Sequence, residues 1–195
     1  MNYPLDMKFR ILAFAPQISV IDAGGATICY VQQKMFRLKE AVNVFTDQSK
    51  KQLLCEIKSD RVIDFSACYS FFDTSGEKFG SVSRKGMRSL WKAHYEINDE
   101  DGNRYASISE ENPMAKVFDS LLGEIPVVGL LCGYFFHPMY LGTSVNGSSL
   151  FRLTKQRSFL ESSYKIDKLA DADPVEELRA LMSMIMMALL ERRRG

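Results

Sequence analysis

The chain ends in "LMSMIMMALLERRRG", residues 181 to 195, and from Ala180 to Leu190 its only polar residue is Ser183. The signals around this run are those of a helix. Asp173 is placed to cap it, Pro174 to occupy its first position, and Glu176 and Glu177 to sit in its first turn. Arg192, Arg193 and Arg194 follow at the end where the helix dipole favours cations. A helix that is apolar on all sides is stable only inside a protein core or a bilayer. Eleven residues at ~1.5 Å each reach roughly 17 Å, against about 30 Å of hydrocarbon. Extending the run back to Val175 would take in Glu176, Glu177 and Arg179. The run is short for a bilayer, and whether a core holds it depends on the rest of the chain.

At 195 residues the chain has the size of one domain, and enough length to bury a sizeable core. The second apolar stretch, "IPVVGLLCGYFFHPMYLG" from Ile125 to Gly142, is broken by two prolines, three glycines and a histidine. Neither stretch reads as a transmembrane helix, and "MNYPLDMKFR" lacks the pattern of a signal peptide. Four widely spaced cysteines (Cys29, Cys55, Cys68, Cys132), with no CxxC pair, fit reduced thiols in a cytoplasm. A net charge of +1 gives no global field for nucleic acid.

The first half of the chain carries a repeat. "FTDQSKKQL" from Phe45, "FFDTSGEKF" from Phe71 and "INDEDGNRY" from Ile97 start 26 residues apart. Each places Asp two residues in (Asp47, Asp73, Asp99) and turns apolar again at Leu53, Phe79 or Tyr105. The last two share a glycine, Gly76 and Gly102. Asp nucleates a turn through its own backbone, and Gly adopts the positive φ that a tight reversal needs. The flanks "FGSVSRK" and "YASISEE" alternate apolar and polar residues, as half-buried strands do. Strands at this spacing predict an all-β barrel or sandwich.

After Pro113 the pattern is less regular, and "PMAKVFDSLLGE" reads as a short helix or a long connection. "KMFRL" at 34–38 is echoed by "SLFRL" at 149–153, which suggests two related halves. The chain thus divides into hairpin repeats over about 28–112, a second half over about 113–170 and a core helix over about 174–192.

Hairpin repeats followed by an apolar helix too short for a membrane resemble the tubby C-terminal-like barrels, which include the LURP-one-related proteins and the phospholipid scramblases. "YSFFDTSGEKFGSVSRK" and "YEINDEDGNRYASISEE" are similar to the family's x-V-Y-D-x-x-G-N-x-h-h-x-I hairpins, and "YVQQKMFRLKEAVNVF" to its early strand pair. The likeness runs from about residue 17 to about 190, and is greatest to bacterial LURP-one-like proteins. It implies a mainly β fold: a barrel of about twelve strands wrapped around its central C-terminal helix. Met182, Met184, Met186 and Met187 suit such an irregular interior.

Candidate chemistry is sparse. The two histidines, His94 and His137, have no nucleophile motif beside them, and Cys132 lies among apolar residues that raise a thiol pKa. "NDEDGN" at 98–103 is a turn, because an EF-hand in that frame would place Ile97 and Ile108 at its terminal ligand positions. "DAGGAT" at 22–27 lacks the GxGxxG spacing of a dinucleotide loop. "DKLADADP" is similar in place to the acidic stretch before the scramblase terminal helix. That makes Asp167 and Asp171 the candidate metal ligands, Asp173 being accounted for as the cap. No cofactor is implied.

Basic clusters at Lys34/Arg37/Lys39, Lys50/Lys51, Arg84/Lys85/Arg88 and Arg152/Lys155/Arg157 read plainly as solvated strand faces and turns. Their functional reading, by resemblance to phosphoinositide-binding tubby domains, is an anionic lipid headgroup site. The candidate is "SRKGMRSLW", where Arg84, Lys85 and Arg88 stand beside Trp91. The expected function is a non-enzymatic module, peripheral to the inner face of a membrane, that binds anionic phospholipid or a protein partner. The alternative is a small-molecule or lipid carrier, or an enzyme, with a site at a barrel mouth. That would need a cluster of polar residues which the sequence does not display. Lipid scrambling itself finds no support without a spanning helix.

Overall fold

The computed structural model describes residues 1–10, 17–32, 41–60, 68–84, 94–111, 139–156 and 162–192. The first six strands are β1 (Leu5–Arg10), β2 (Gln17–Ile21), β3 (Thr27–Gln32), β4 (Val42–Phe45), β5 (Leu53–Ser59) and β6 (Cys68–Phe72). The next six are β7 (Lys78–Arg84), β8 (His94–Asn98), β9 (Arg104–Glu110), β10 (Met139–Ser144), β11 (Ser149–Gln156) and β12 (Ser162–Lys168). One helix follows, α1 (Pro174–Arg192). Each strand pairs antiparallel with its neighbour in sequence, and β12 returns to pair with β1, so the barrel is closed. Closure leaves no unpaired sheet edge.

The hairpins at one end of the barrel share a single construction. Asp73 N donates to the carbonyl of Glu77, Gly76 N donates back to Asp73, and the Asp73 carboxylate accepts from the amides of Ser75 and Glu77. Asp99 to Gly102 repeats the arrangement, with a positive φ at both glycines. In the first predicted repeat the same place falls to Lys50, at φ 57°. Each hairpin takes a one-residue register shift beside the turn, as between Phe71 and Phe72 or Ile97 and Asn98.

The repeat extends beyond the three copies predicted from the sequence. Asp22 accepts from the amides of Gly24 and Ala26, and Gly25 carries the positive φ, so "DAGGAT" is another copy of the turn. Ser144 and Gly147 make a fifth copy, in which the Ser144 hydroxyl accepts from Ser148 N in place of a carboxylate. The second half of the barrel is likewise β-structure, supplied by β10, β11 and β12. The helix or connection expected from "PMAKVFDSLLGE", the "KMFRL" echo, Cys132 and His137 all lie outside the described residues.

Strand alternation fills the barrel from the wall. Leu5, Met7 and Phe9 of β1 point in while Asp6, Lys8 and Arg10 are exposed, and the inward residues of the other strands join them in one core. The helix fills the rest. Every residue from Ala180 to Leu190 is buried. Successive helical residues advance by about 100°, so this run faces every direction and meets protein in each. A helix laid on the outside of a sheet would leave one side wet. Enclosure is the geometry that fits, and α1 packs most closely on β6, β7 and β8. At its middle Cys55 Sγ donates to Met182 Sδ at 3.4 Å. Burial pushes the Cys55 thiol up to about 12, so it is an inert core group. Among the described residues no helix is long and apolar enough to cross a membrane.

Candidate functional site

Both ends of α1 are fastened to the barrel by polar groups, and these are the places where chemistry gathers. At the start of the helix Asp173 is the cap. Its carboxylate accepts from Val175 N and Glu176 N, while Glu176 Oε2 accepts from Asp173 N in return. The buried Glu177 takes Lys168 Nζ at 2.8 Å and the amino group of Met1 at 3.1 Å. Burial pushes the Glu177 carboxyl up, but the hydrogen bonds from Lys168 and the amino group outweigh it and hold the group below its ordinary value. Two residues on, Arg179 Nε donates to the carbonyl of Phe79 at 2.7 Å. Its guanidinium also pairs with Glu100 and lies 5.5 Å from the ring of Tyr105.

At the far end the barrel wall turns polar on its inner side. Arg84 on β7 and Tyr95 on β8 are register partners facing inward, with the guanidinium carbon 6.0 Å from the ring centre. Tyr95 donates its hydroxyl to Glu191 Oε1 at 2.7 Å, and the same oxygen lies 3.9 Å from Arg84. Next around the wall come the buried Glu110 of β9 and Tyr140 of β10, opposite each other in register. Burial first, then the charges of Glu110 and Glu191, push the Tyr140 hydroxyl far above its ordinary value. Burial and Glu191 do the same to Tyr95. These tyrosines are donors throughout the physiological range.

This cluster is a grouping of polar residues that the sequence does not display. Arg84, Tyr95, Glu110, Tyr140 and Glu191 come from five different elements, so no local stretch of sequence displays them together. Arg84 belongs to this inward set, 8% exposed, rather than to an outward headgroup surface. Lys85, Arg88 and Trp91 lie outside the described residues.

Asp167 sits on β12 opposite Arg152, Asp171 is exposed beyond the strand, and Asp173 caps α1. Among the described residues no group of three His, Cys, Asp or Glu side chains comes together to hold a metal ion. His94 is half-buried on β8, opposite Ser109.

A closed barrel of twelve antiparallel strands around its own C-terminal helix is the architecture of the tubby-like superfamily. Residues 27–175 match the model of the LURP-one-related family, and the chain belongs to that family. It is similar in fold to a protein of Arabidopsis thaliana known from an X-ray structure, with a TM-score of 0.53 and 9% sequence identity over 100% of this chain and 94% of that one. At that identity the likeness concerns the fold alone. A comparison with curated proteins found no match.

Proposed function

We propose that this chain is a non-enzymatic binding barrel that meets its partner on its outer surface, with anionic phospholipid at a membrane surface as the leading ligand and a protein as the second. The observation that supports this is the filled interior. The helix occupies the space in which a barrel of this kind would hold a small ligand, because its run from Ala180 to Leu190 is buried on every side. Recognition is then left to the rims and the outer strand faces. Lys85 and Arg88 follow β7 directly in the sequence, with Trp91 three residues on. In a cell this reading puts the protein in the cytoplasm, peripheral to the inner face of a membrane.

The test is flotation with vesicles carrying an anionic phospholipid, against neutral vesicles, at physiological salt. Binding to the anionic vesicles is expected, weakened by Lys85→Glu with Arg88→Glu. Each basic residue near such a surface contributes about 1 kcal/mol. No flotation of the wild-type chain would end the lipid reading.

The polar cluster of Arg84, Tyr95, Glu110, Tyr140 and Glu191 favours a second reading, a small polar ligand held at the mouth where α1 finishes. A metabolite retained through purification and seen by native mass spectrometry, then lost on Arg84→Met, would promote it over the first.

A further inference from the structure

Among the described residues, the large apolar side chains most exposed to water are Met1, Val145, Leu169 and Val175. All four lie at the end of the barrel where α1 begins, and Val145, Leu169 and Val175 are each tied to that end by hydrogen bonds of their own or neighbouring groups. Val145, in the turn between β10 and β11, donates its amide to the carbonyl of Tyr105. The Tyr105 hydroxyl hydrogen-bonds Glu176, the residue after Val175. Leu169, just past β12, donates to the carbonyl of Leu150, on the strand that leads out of the Val145 turn. Val145 is 58%, Val175 48% and Leu169 41% exposed.

Carboxylates border this patch. Asp101, Asp171 and Asp173 are exposed, and the Glu100 side chain is 56% exposed. Of the nearby cations, Arg179 holds the Phe79 carbonyl and Glu100, Lys168 holds Glu177, and the exposed Arg104 pairs with Glu96. Lys50 and Lys51 belong to the β4–β5 hairpin across the rim, and Lys78 is half-buried on the β6–β7 hairpin next to the Asp99 turn. The face therefore offers apolar side chains within a border where exposed carboxylates outnumber the cations. An anionic membrane is repelled by that border, and so is a second copy presenting the same face. The flanking turns are already fixed by their own Asp hydrogen bonds, which lowers the ordering cost of docking.

We propose that this face docks a basic amphipathic segment of a partner protein, in which Lys or Arg residues flank one or two large apolar side chains. The proposal uses none of the residues of the lipid-binding reading, so either stands without the other.

The probe is a short synthetic peptide of Lys pairs separated by single Leu residues, titrated into isotope-labelled full-length chain without lipid. Amide shift changes are expected to saturate, with a Kd of about 1 mM or tighter. They should concentrate at 99–103, 144–148 and 169–176. Val145→Ser with Val175→Ser, both surface positions, should weaken binding about tenfold while leaving the remaining spectrum in place. Any of four results overturns the proposal. These are no saturable change, an equal response to the same peptide with Glu for Lys, a response confined to the other end, or equal binding by the serine variant. Perturbation of these same amides by anionic vesicles, or a dimer of the chain abolished by the serine variant, would give the face to a membrane or to a second copy and overturn it as well.

Discussion

The side chain of Arg179 lies where a Cβ on Gly80 would have to be. A methyl group built there would come within 2.8 Å of both Cγ and Nε of the arginine. Gly80 faces inward on β7 between the helix and the wall, and Arg179 cannot simply swing away. Its Nε is bound to Phe79, its guanidinium to Glu100, and its plane rests near Tyr105. Gly80→Ala should therefore destabilise the fold by about 1–3 kcal/mol, the range for overpacking a filled site. Urea unfolding measures it. In a double-mutant cycle with Arg179→Met the alanine should cost much less, because the flexible thioether yields. Additive effects would mean that the two residues do not meet.

The enclosed helix is the next point of test. Ile185 is fully buried, so Ile185→Asp should abolish soluble expression through an unpaired charge in the core costing several kcal/mol. Ile185→Val keeps the experiment quantitative, with an expected loss of about 0.5–1.5 kcal/mol. A folded Ile185→Asp chain that merely loses membrane association would show an anchor instead of a core.

Tyr95→Phe removes the hydroxyl that reaches Glu191 and leaves that carboxylate with the more distant Arg84. A loss of about 1–3 kcal/mol is expected, since the bond is to a charged acceptor. Thermal melting checks it, and vesicle flotation of the same variant should be unchanged. If flotation fell in proportion to Arg84→Met while stability did not change, the cluster would be a ligand site and not a fastening.

Acid should weaken the turn end of the barrel before its core. Hydrogen bonding from Ser49 and from Ser75 holds Asp47 and Asp73 below the ordinary 3.8. At Asp99 slight burial works the other way but is outweighed by the bonds from Asn103. Glu177 is likewise held below 4.5. For groups with lowered folded pKa values, the stability they contribute is present above the ordinary values and is lost as pH falls through the folded ones. Urea midpoints should decline below about pH 4.5, and Asp73→Asn should flatten that decline. Lys168, raised by its bond to Glu177, has the opposite sign: its contribution holds below 10.5 and fades as pH rises past its folded value.

The turn at Asp22 tests how far the repeat extends. Asp22→Ala removes the acceptor for Gly24 and Ala26 and should cost about 1 kcal/mol, the scale of a lost cap or turn bond. Gly25→Ala forces a side chain into a left-handed φ of 83° and should cost a similar amount. A silent pair of variants would mean that "DAGGAT" is not a structural copy of the Asp73 turn.

Much of this protein is determined locally and can be read from the chain. Turn chemistry needs only Asp followed three residues later by a backbone that accepts positive φ, so Asp47, Asp73 and Asp99 announced their hairpins. Asp22 is masked in the sequence by glycines that also suit a nucleotide loop, and Ser144 by a hydroxyl that stands in for the carboxylate. The core helix was equally legible, since a run apolar on every side has to be enclosed wherever the strands run. What only the tertiary structure decided is which polar residues meet. Arg84 looked like a surface cation beside Lys85 and Arg88, yet its place on the inward side of β7 sets it against Tyr95 and Glu191. A strand's two faces differ by a single step of register, and barrel closure, which sequence spacing does not encode, brings residue 84 to residue 191.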